Sequence, residues 1–502
     1  MNGNALPPIQ AWNRDTMISA VQNRYDKLFD ATFGRLGIAG LWDRFDRTIL
    51  SSRQMLVRTD IVFALLLGLA GMLASIWAFS QTGRVPELHT IADLWMTADA
   101  PRYAENMVTT TDTTHHRTSV HPLFSILLFP FGTLLTALGA DSLMAAKVLV
   151  VAAMAANVTM FSLTIRLLGL PRPLVGIFSL LFIASSAFMH WSGIVESYPF
   201  SCLSILVALF MMFRVNKAHW GWWVLVNVLT LGILITNWIF ALIAMAVRLN
   251  LKQFVAITVS SFALVVCLAV IQNAIFEKAV LFFNPHTLTR ETQYFQTSLA
   301  AEGLYHEGWR PSANLRSIYV TTVVGMPAYV VPEKFQRITT SNQNSTFPEG
   351  EIAPPIAAAA WVLLFLMGVW GAVRRKEMHL PMIGISLMLL FQSALHAIYG
   401  EVTSLYALNF LPLVVIVAAC AWFAPLRQAS VALACTVIVF GGMNNERRLQ
   451  QYTDLAGCMA DIELVQRLQT WEIAKDEFLL EPEEYEALKV DLHGLCNTKT
   501  PS

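Results

Sequence analysis

The sequence predicts an all-α, polytopic membrane protein, a bundle of about 11 membrane-spanning helices. The first observation is composition: of 502 residues, 55% are hydrophobic and 14% are charged, against roughly 45–50% and 25% in a soluble domain. The second is a mean hydropathy of +0.53. The third is the recurrence of apolar runs close to the roughly 20 residues that cross a bilayer.

The polar segment 1–59 precedes the first apolar run. Its basic side chains suit a segment on the cytoplasmic surface of a membrane, and a partly ordered tail is the open alternative. They are Arg14, Arg24, Lys27, Arg35, Arg44, Arg47, Arg53 and Arg58. No signal peptide is apparent, because the first apolar run begins near Asp60, which is late for a cleaved leader.

Apolar runs follow one another along the rest of the chain. They fall at about 60–80, 121–139, 143–168, 174–190, 198–214, 219–248, 253–276, 355–373, 380–398, 404–424 and 428–441. Two of them are ambiguous. Segment 121–139 is short and interrupted by two prolines, and segment 219–248 is either one long tilted helix or a hairpin broken at Thr236 and Asn237.

Clusters of Lys and Arg decide between these alternatives, because cytoplasmic loops carry an excess of both. The clusters are Arg166/Arg172, Arg214/Lys217, Arg248/Lys252, Arg374/Arg375/Lys376 and Arg427. With a cytoplasmic N-terminus, all of them fall inside if 121–139 does not cross and 219–248 is a hairpin turning at Asn237. The opposite choice places the first two clusters outside. We therefore expect the first arrangement.

This topology divides the chain into three parts. Residues 1–59 form a cytoplasmic amphipathic segment, residues 60–441 form the transmembrane bundle, and residues 442–502 form a small acidic tail that we expect to be external. An oxidising external space would allow Cys458 and Cys496 to form a disulfide, and two free thiols are the alternative.

Two long external loops follow from the same topology, at 81–142 and 277–354. Within the first, segment 121–139 becomes a juxtamembrane helix on the outer face. Loops as long as the second are usually functional or separately folded. The polar residues with the richest chemistry therefore fall on one side of the predicted membrane.

The stretch "TADAPRYAENMVTTTDTTHHRTSVHPLF" opens the first external loop and is unusually polar for this chain. If residues 95–106 form a helix, Asp99, Arg102 and Tyr103 share one face with Trp95. Asp99 is then a candidate general base for an incoming hydroxyl. A simple ion pair between Asp99 and Arg102 is the alternative.

Further along this loop, "HHRTSVHP" concentrates hydrogen-bond donors. Arg117 suits a phosphate because its guanidinium presents a planar fork of donors, and His116 and His121 could bind phosphate or metal. The histidine spacing does not match a metal finger, so a site made of histidines alone is not expected. A solvated loop is the alternative.

Two other external stretches add candidate binding residues. "GIVESYP" places Glu196 and Tyr198 at a helix–loop junction, where a carboxylate is costly unless it is solvated or paired. "FFNPHTLTRETQYF" contributes Arg290 at the start of the long loop. A surface-loop role is the alternative for both.

The stretches "DAPRYAE", "HPLF" and "RLLG" resemble those of the GT-C membrane glycosyltransferases, which include the protein O-mannosyltransferases and the aminoarabinose lipid A transferases. The resemblance by motif covers residues 60–200. It implies a GT-C-like first external loop carrying juxtamembrane helices, and a catalytic bundle at 60–441. It also implies transfer of a hexosyl or pentosyl group from a polyprenyl-phosphate-sugar donor to a lipid, glycan or protein acceptor on the outer face.

The resemblance also assigns roles. It implies a catalytic base, which we place on Asp99, and cations at the leaving phosphate, for which Arg117 and His116 are the first candidates and Arg290 a further one. The other candidate substrate- or phosphate-binding residues are Arg102, Tyr103, His121, Glu196 and Tyr198. In the family a second acidic residue often follows the aspartate, whereas Ala100 stands here. Glu105, Asp112 or Glu196 could substitute, and use of a divalent metal ion is left open.

The expected setting is a bacterial inner membrane, with membrane lipids as neighbours and no nucleic-acid partner. Two alternatives are a transporter or flippase for a lipid-linked or anionic solute, and a glycan polymerase or ligase using pyrophosphate-linked lipids. The first predicts charged residues along a path at mid-membrane depth, and few are seen. Polymerases and ligases of the second kind lack an aspartate-containing first external loop, whereas this chain has one. A structural membrane protein would leave Asp99 and Arg117 freely replaceable.

Overall fold

The computed structural model describes residues 56–111, 113–214, 219–284, 289, 311–333, 337–399 and 402–460. Segment 1–59 and tail 442–502 are therefore covered only in part, and Arg290, Asp112 and Cys496 lie outside the described residues. The described residues are helical apart from turns, loops and one antiparallel hairpin of two strands. The all-α class is confirmed.

The α-helices are α1 Arg58–Thr82, α2 Ala100–Val108, α3 Phe124–Ala137, α4 Ser142–Leu167, α5 Arg172–Ala184, α6 Ser186–Trp191, α7 Tyr198–Phe213, α8 Trp220–Ile233, α9 Trp238–Arg248, α10 Leu251–Ile275, α11 Pro311–Arg316, α12 Ala353–Arg374, α13 His379–Ile398, α14 Ala407–Ala419, α15 Arg427–Thr436 and α16 Gly442–Ala460. Strands β1 Tyr329–Glu333 and β2 Arg337–Ser341 pair with Tyr329 opposite Ser341.

Six of the described helical segments are long and apolar enough to cross a membrane. They are Arg58–Thr82, Ser142–Leu167, Leu251–Ile275, Ala353–Arg374, Lys376–Ile398 and Thr403–Phe423. Shorter apolar helices are α3, α5, α7, α8 and the segment Ile235–Arg248. A multi-pass integral membrane protein is thus supported, whereas the expected number of about 11 spans is not confirmed.

Helices α1 and α4 form a close pair because α1 offers glycines at the contact. A methyl group added at Gly68 would lie 2.1 Å from Thr159 Oγ1, and one at Gly71 would lie 2.6 Å from a Val158 methyl. Small residues permit such approach between membrane helices. Helix α4 begins under the Asp141 carboxylate, which accepts a hydrogen bond from Met144 N at 2.7 Å.

Segment 219–248 forms the expected hairpin. Helices α8 and α9 meet at a 3₁₀ turn, Ile235–Asn237. At this turn the Asn237 amide donates to Ser201 Oγ at 2.7 Å, near the start of α7. At the far end of α9, Arg248 donates to the carbonyl of Met212, near the end of α7. The two arms therefore run beside α7 in opposite directions.

The described basic clusters gather at one end of the bundle. Asp60 accepts hydrogen bonds from Arg166 at 3.0 Å and from Arg172 at 2.8 Å, and Arg375 donates to the carbonyl of Leu168. We call this the basic end. Its being cytoplasmic stays a prediction.

The opposite end is called the site end. There Thr82, at the end of α1, donates to the carbonyl of Gly193 at 2.7 Å. Helix α3 also lies there and has 14 residues, about 21 Å of rise against a hydrocarbon core of about 30 Å. A methyl group at Gly132 of α3 would lie 2.0 Å from the Met107 carbonyl oxygen. Helix α3 is thus packed closely on α2, which agrees with a helix that does not cross.

The C-terminal part of the described chain continues the bundle without a break. Helix α15 passes through a π-helical turn, Val437–Gly441, into α16. Gly457 of α16 lies against Val85 at the site end. Cys458 is disulfide-bonded, and the four other described cysteines are free.

Candidate functional site

The loop before Asp99 is irregular rather than helical. Helix α2 begins at Ala100, with Asp99 at its N-cap position, so the expected helix over 95–106 is wrong in its first turn. Three residues of this loop other than glycine have positive φ: Asp93 at 71°, Met96 at 48° and Thr97 at 61°. Such backbone is costly and persists only where the surroundings hold it.

Strand β2 holds this loop through side-chain hydroxyls. Met96 N donates to Thr340 Oγ1 at 3.1 Å, and Thr97 N donates to Thr339 Oγ1 at 2.8 Å. The hydroxyl of Thr340 in turn donates to the carbonyl of Leu94. The long loop after α10 therefore supplies the contacts that fix the backbone beside Asp99.

A buried aromatic cluster supports the same loop from the other side. The Trp95 ring lies 5.3 Å from the ring of Tyr452 in α16 and 6.0 Å from that of His190 in α6. All three side chains are buried. The loop thus lies between two helices, α6 and α16, and the β-hairpin.

Asp99 is partly exposed and takes part in an ion pair. Its carboxylate pairs with the guanidinium of Arg102, one turn further along α2, and the side-chain exposures are 28% for Asp99 and 13% for Arg102. The ion pair that was one alternative is therefore present. The Asp99 carboxylate is therefore paired with a cation and still partly open to solvent.

Glu196 lies directly behind Asp99. One of its carboxylate oxygens accepts from the backbone N of Asp99 at 3.1 Å. The other accepts from the hydroxyl of Ser197 at 3.0 Å and from its backbone N. Burial, reinforced by the negative charge of Asp99, raises the pKa of Glu196 to about 7, while Arg102 opposes the rise. A second carboxylate therefore reaches Asp99 from another loop.

Tyr103 and His121 form a buried pair next to Arg102. His121 Nδ1 donates to the carbonyl of Ile233 at 2.8 Å, so Nε2 is the acceptor and accepts a hydrogen bond from the Tyr103 hydroxyl at 2.8 Å. Burial lowers the pKa of His121 to about 3, and the nearby charges of Arg102 and Arg117 act in the same direction. His121 is therefore neutral near pH 7. The Arg102 guanidinium lies over the Tyr103 ring, 4.9 Å from its centre.

The histidine-rich stretch divides into buried and exposed members. His115 is buried, with its ring nitrogens 3.0 Å from Ser125 Oγ and 3.1 Å from the carbonyl oxygen of Thr109, so it anchors the loop to α3. His116 is exposed, and Arg117 is half-buried. Arg117 is close enough to His121 to affect its charge state.

Tyr198 begins helix α7, directly after Glu196 and Ser197. Its ring contacts Trp191 and Tyr406, with centroid distances of 5.3 and 5.6 Å. The side chain is 7% exposed and forms part of an aromatic wall. Of the predicted residues, Asp99, Arg102, Tyr103, His121 and Glu196 are thus assembled together, with Arg117 and Tyr198 beside them.

The arrangement offers two unlike carboxylates and two guanidinium groups. Among the described residues there is no group of three or more His, Cys, Asp or Glu placed to hold a metal ion. Asp99 is paired with a cation, and both oxygens of Glu196 already accept N–H or O–H groups. This donor set does not fit a divalent cation.

Several contacts of the site could not be found from the sequence. The carbonyl of Ile233 fixes the His121 tautomer, and Thr339 and Thr340 hold the strained loop. A backbone carbonyl has no sequence signal, and two threonines in a strand look like ordinary sheet residues. Of these contacts, only the one between Ser197 and Glu196 could be expected from the sequence, because the two residues are adjacent.

Comparisons with family models, curated proteins and solved structures found no match to this chain. The resemblance to GT-C enzymes therefore rests on the short sequence motifs. The site itself must carry any functional conclusion.

Proposed function

We propose that the protein is a membrane glycosyltransferase that moves a sugar from a polyprenyl-phosphate donor to an acceptor hydroxyl at the site end. One observation carries the proposal: Asp99 presents a partly exposed carboxylate, fixed between the Arg102 guanidinium and the buried Glu196. A fixed, accessible carboxylate beside cations suits a reaction that deprotonates a hydroxyl and releases a phosphate.

In the proposed reaction, the acceptor oxygen forms a bond to the anomeric carbon of the sugar. The bond between that carbon and the phosphate oxygen breaks, and its electron pair leaves with the polyprenyl phosphate. The Asp99 carboxylate takes the hydroxyl proton. Attack from the face opposite the phosphate inverts the configuration at the anomeric carbon.

Glu196 is a positioning residue in this scheme. It is 2% exposed, and its carboxylate binds the backbone N of Asp99 and does not face the solvent. In the proposed scheme this contact orients the Asp99 side chain. Tyr103 and His121 play a similar part for Arg102, because the Tyr103 ring lies under the guanidinium and is itself held by His121.

The leaving phosphate is assigned to Arg117, with His116 as a second donor. Both follow the His115 anchor and lie on the same short 3₁₀ segment, Thr113–Ser119. A charge-assisted contact to phosphate contributes roughly 1.5–3 kcal/mol. Arg290 stays a candidate of the sequence, outside the described residues.

We propose that the site end faces the extracytoplasmic space. The disulfide at Cys458 lies in helix α16, whose Gly457 contacts Val85 at the site end, and disulfides persist in oxidising compartments. The arginines at the other end are typical of a cytoplasmic face. His116→Cys and Lys376→Cys, both at exposed positions, test this with an impermeant thiol reagent added to whole cells. Labelling of the first alone is expected, and labelling of the second would reverse the orientation.

The first experiment avoids the unknown sugar. The purified protein is heated with and without a polyprenyl monophosphate, the product common to such donors, and the unfolding midpoint is recorded. A ligand that binds the folded state raises the midpoint by mass action. We expect a rise in the parent and in Asp99→Asn, and none in Arg117→Ala. The matched control is Arg84→Ala, at an exposed arginine of the same end.

The presence or absence of the lipid-induced rise in the parent and in each variant tests the donor assignment. No rise in the parent at saturating lipid would refute the donor assignment. A rise that survives in Arg117→Ala would move the phosphate to another group. Once a donor sugar is known, Asp99→Asn should abolish transfer while leaving the lipid-induced rise intact, since it removes the base and not the phosphate contact.

A further inference from the structure

A cationic cavity of about 580 Å³ opens at the basic end of the bundle. Its walls carry three guanidinium groups, from Arg374, Arg375 and Arg427, and the rings of Trp422 and Phe423. Its volume lies in the range of about 300–1,000 Å³ found for small-molecule sites. Arg374 and Arg375 lie at the C-terminal end of α12 and Arg427 at the start of α15, and the two rings come from the 3₁₀ turn Cys420–Phe423 between α14 and α15.

Two of the arginines are held by aromatic rings. The Arg375 guanidinium lies 4.2 Å from the centre of the Phe423 ring, and that of Arg427 lies 5.4 Å from the Trp422 ring. Stacking uses the flat face of a guanidinium and leaves its N–H edge for an anion. Phosphate is an anion that such a planar fork binds well.

The positive charge of the cavity is only partly compensated. Glu377 lies 3.7 Å from Arg375, and Arg375 also donates to the carbonyl of Leu168 at 3.4 Å. Arg374 and Arg427 are both exposed. Arg375 is therefore partly neutralised, whereas Arg374 and Arg427 place two exposed positive charges at the mouth of the cavity.

Exposed apolar side chains flank the arginines. Val373 precedes Arg374 and is 65% exposed, and Leu426 precedes Arg427 and is 62% exposed. Trp370, one turn earlier on α12, is 46% exposed. In a membrane helix such side chains contact acyl chains, so an occupant with both a phosphate and hydrocarbon tails matches this surface better than a free anion does.

We infer that this cavity binds the headgroup of an anionic phospholipid, with the arginines on its phosphate and the acyl chains along α12 and α15. Basic pockets between membrane helices are suited to such headgroups. The cavity lies at the opposite end of the bundle from Asp99. The inference therefore stands or falls independently of the glycosyltransferase proposal.

The test uses the full chain in detergent. The unfolding midpoint is measured during titration with phosphatidylglycerol, with phosphatidylcholine and with inorganic phosphate. We expect only phosphatidylglycerol to raise it. In the double variant Arg374→Gln/Arg427→Gln the apparent affinity for phosphatidylglycerol should fall about 30-fold, because two charge contacts are removed.

The control is Arg214→Gln, at an exposed arginine of the same end that does not line the cavity, and it should keep the parent affinity. Equal affinity in the parent and the double variant, or an equal effect of phosphatidylcholine, overturns the inference. An equal effect of inorganic phosphate overturns the assignment to a lipid. If the double variant shows no cooperative unfolding, native mass spectrometry of the two single variants replaces it, and unchanged retention of phosphatidylglycerol in both overturns the inference.

Discussion

Replacing Glu196 with glutamine should remove a pH dependence of stability. The pKa of Glu196 rises from its ordinary value of 4.5 to about 7 on folding, because the carboxyl is buried and faces Asp99. Below pH 4.5 the carboxyl is protonated in both states and the shift has no effect. Between these two pKa values the folded state binds more protons, so stability falls as pH rises and is lowest above pH 7.

The size of the effect follows from the same shift. One pKa unit corresponds to about 1.4 kcal/mol, so ionised Glu196 costs about 3 kcal/mol at pH 8 relative to pH 4. Unfolding entropies of about 2 cal/mol/K per residue give about 1 kcal/mol/K for 502 residues. The difference in midpoint between Glu196→Gln and the parent should therefore change by about 3 °C across this pH range, in favour of glutamine at high pH.

The assay is thermal unfolding in detergent at one scan rate and five pH values from 4 to 8. The informative quantity is how the midpoint difference between Glu196→Gln and the parent changes with pH. Its value at a single pH is not informative, because glutamine loses hydrogen bonds that the Glu196 carboxylate accepts, and this loss is present at every pH. Glu105→Gln on the exposed face of α2 is the matched control and should run parallel to the parent. If Glu196→Gln runs parallel as well, the assignment of the raised pKa to Glu196 is refuted.

The remaining predictions concern packing around the site and at the basic end. Tyr103→Phe should destabilise by about 2 kcal/mol, measured by the unfolding midpoint, because the buried Nε2 of His121 loses its donor; an unchanged midpoint would contradict the pairing. Gly132→Ala should cost about 3 kcal/mol, because the new methyl group meets the Met107 carbonyl at 2.0 Å, whereas Gly442→Ala should be tolerated because its nearest neighbour is 3.7 Å away. Asp60→Asn should lower the midpoint by an amount equivalent to about 2 kcal/mol, because the contacts to Arg166 and Arg172 are weakened together. The same loss in the double variant Arg166→Gln/Arg172→Gln would support that explanation, and no loss in either would contradict it.

Helix positions were predictable from the sequence where hydrophobicity and charge agreed. The hairpin at 219–248 followed from placing the arginines on one side, and its turn lies at Asn237 as expected. Segment 95–106 was different. Its polar periodicity suited a helix from Trp95, but β2 and Tyr452 draw the first residues into a strained loop. Such contacts override local propensity and are not visible in a linear sequence.

Candidate site residues could be nominated individually, but their grouping could not. Glu196 and Asp99 were predicted as site residues independently of each other. In the structure the backbone N of Asp99 donates a hydrogen bond to the Glu196 carboxylate. His121 was suggested as a phosphate ligand, and both of its ring nitrogens turn out to be engaged within the protein. Residue type indicates which chemistry is available, whereas burial and neighbours determine how it is used.

The hydrogen bonds between strand β2 and the loop before Asp99 have a consequence for folding during synthesis. Met96 and Thr340 are 244 residues apart, so at a synthesis rate of about 5–20 residues per second the partner strand emerges tens of seconds after the loop. During that interval the loop lacks the Thr339 and Thr340 hydroxyls that hold its three positive-φ residues in the folded protein. The loop must therefore adopt another conformation at first, and the geometry around Asp99 is completed only after strand β2 has been synthesised.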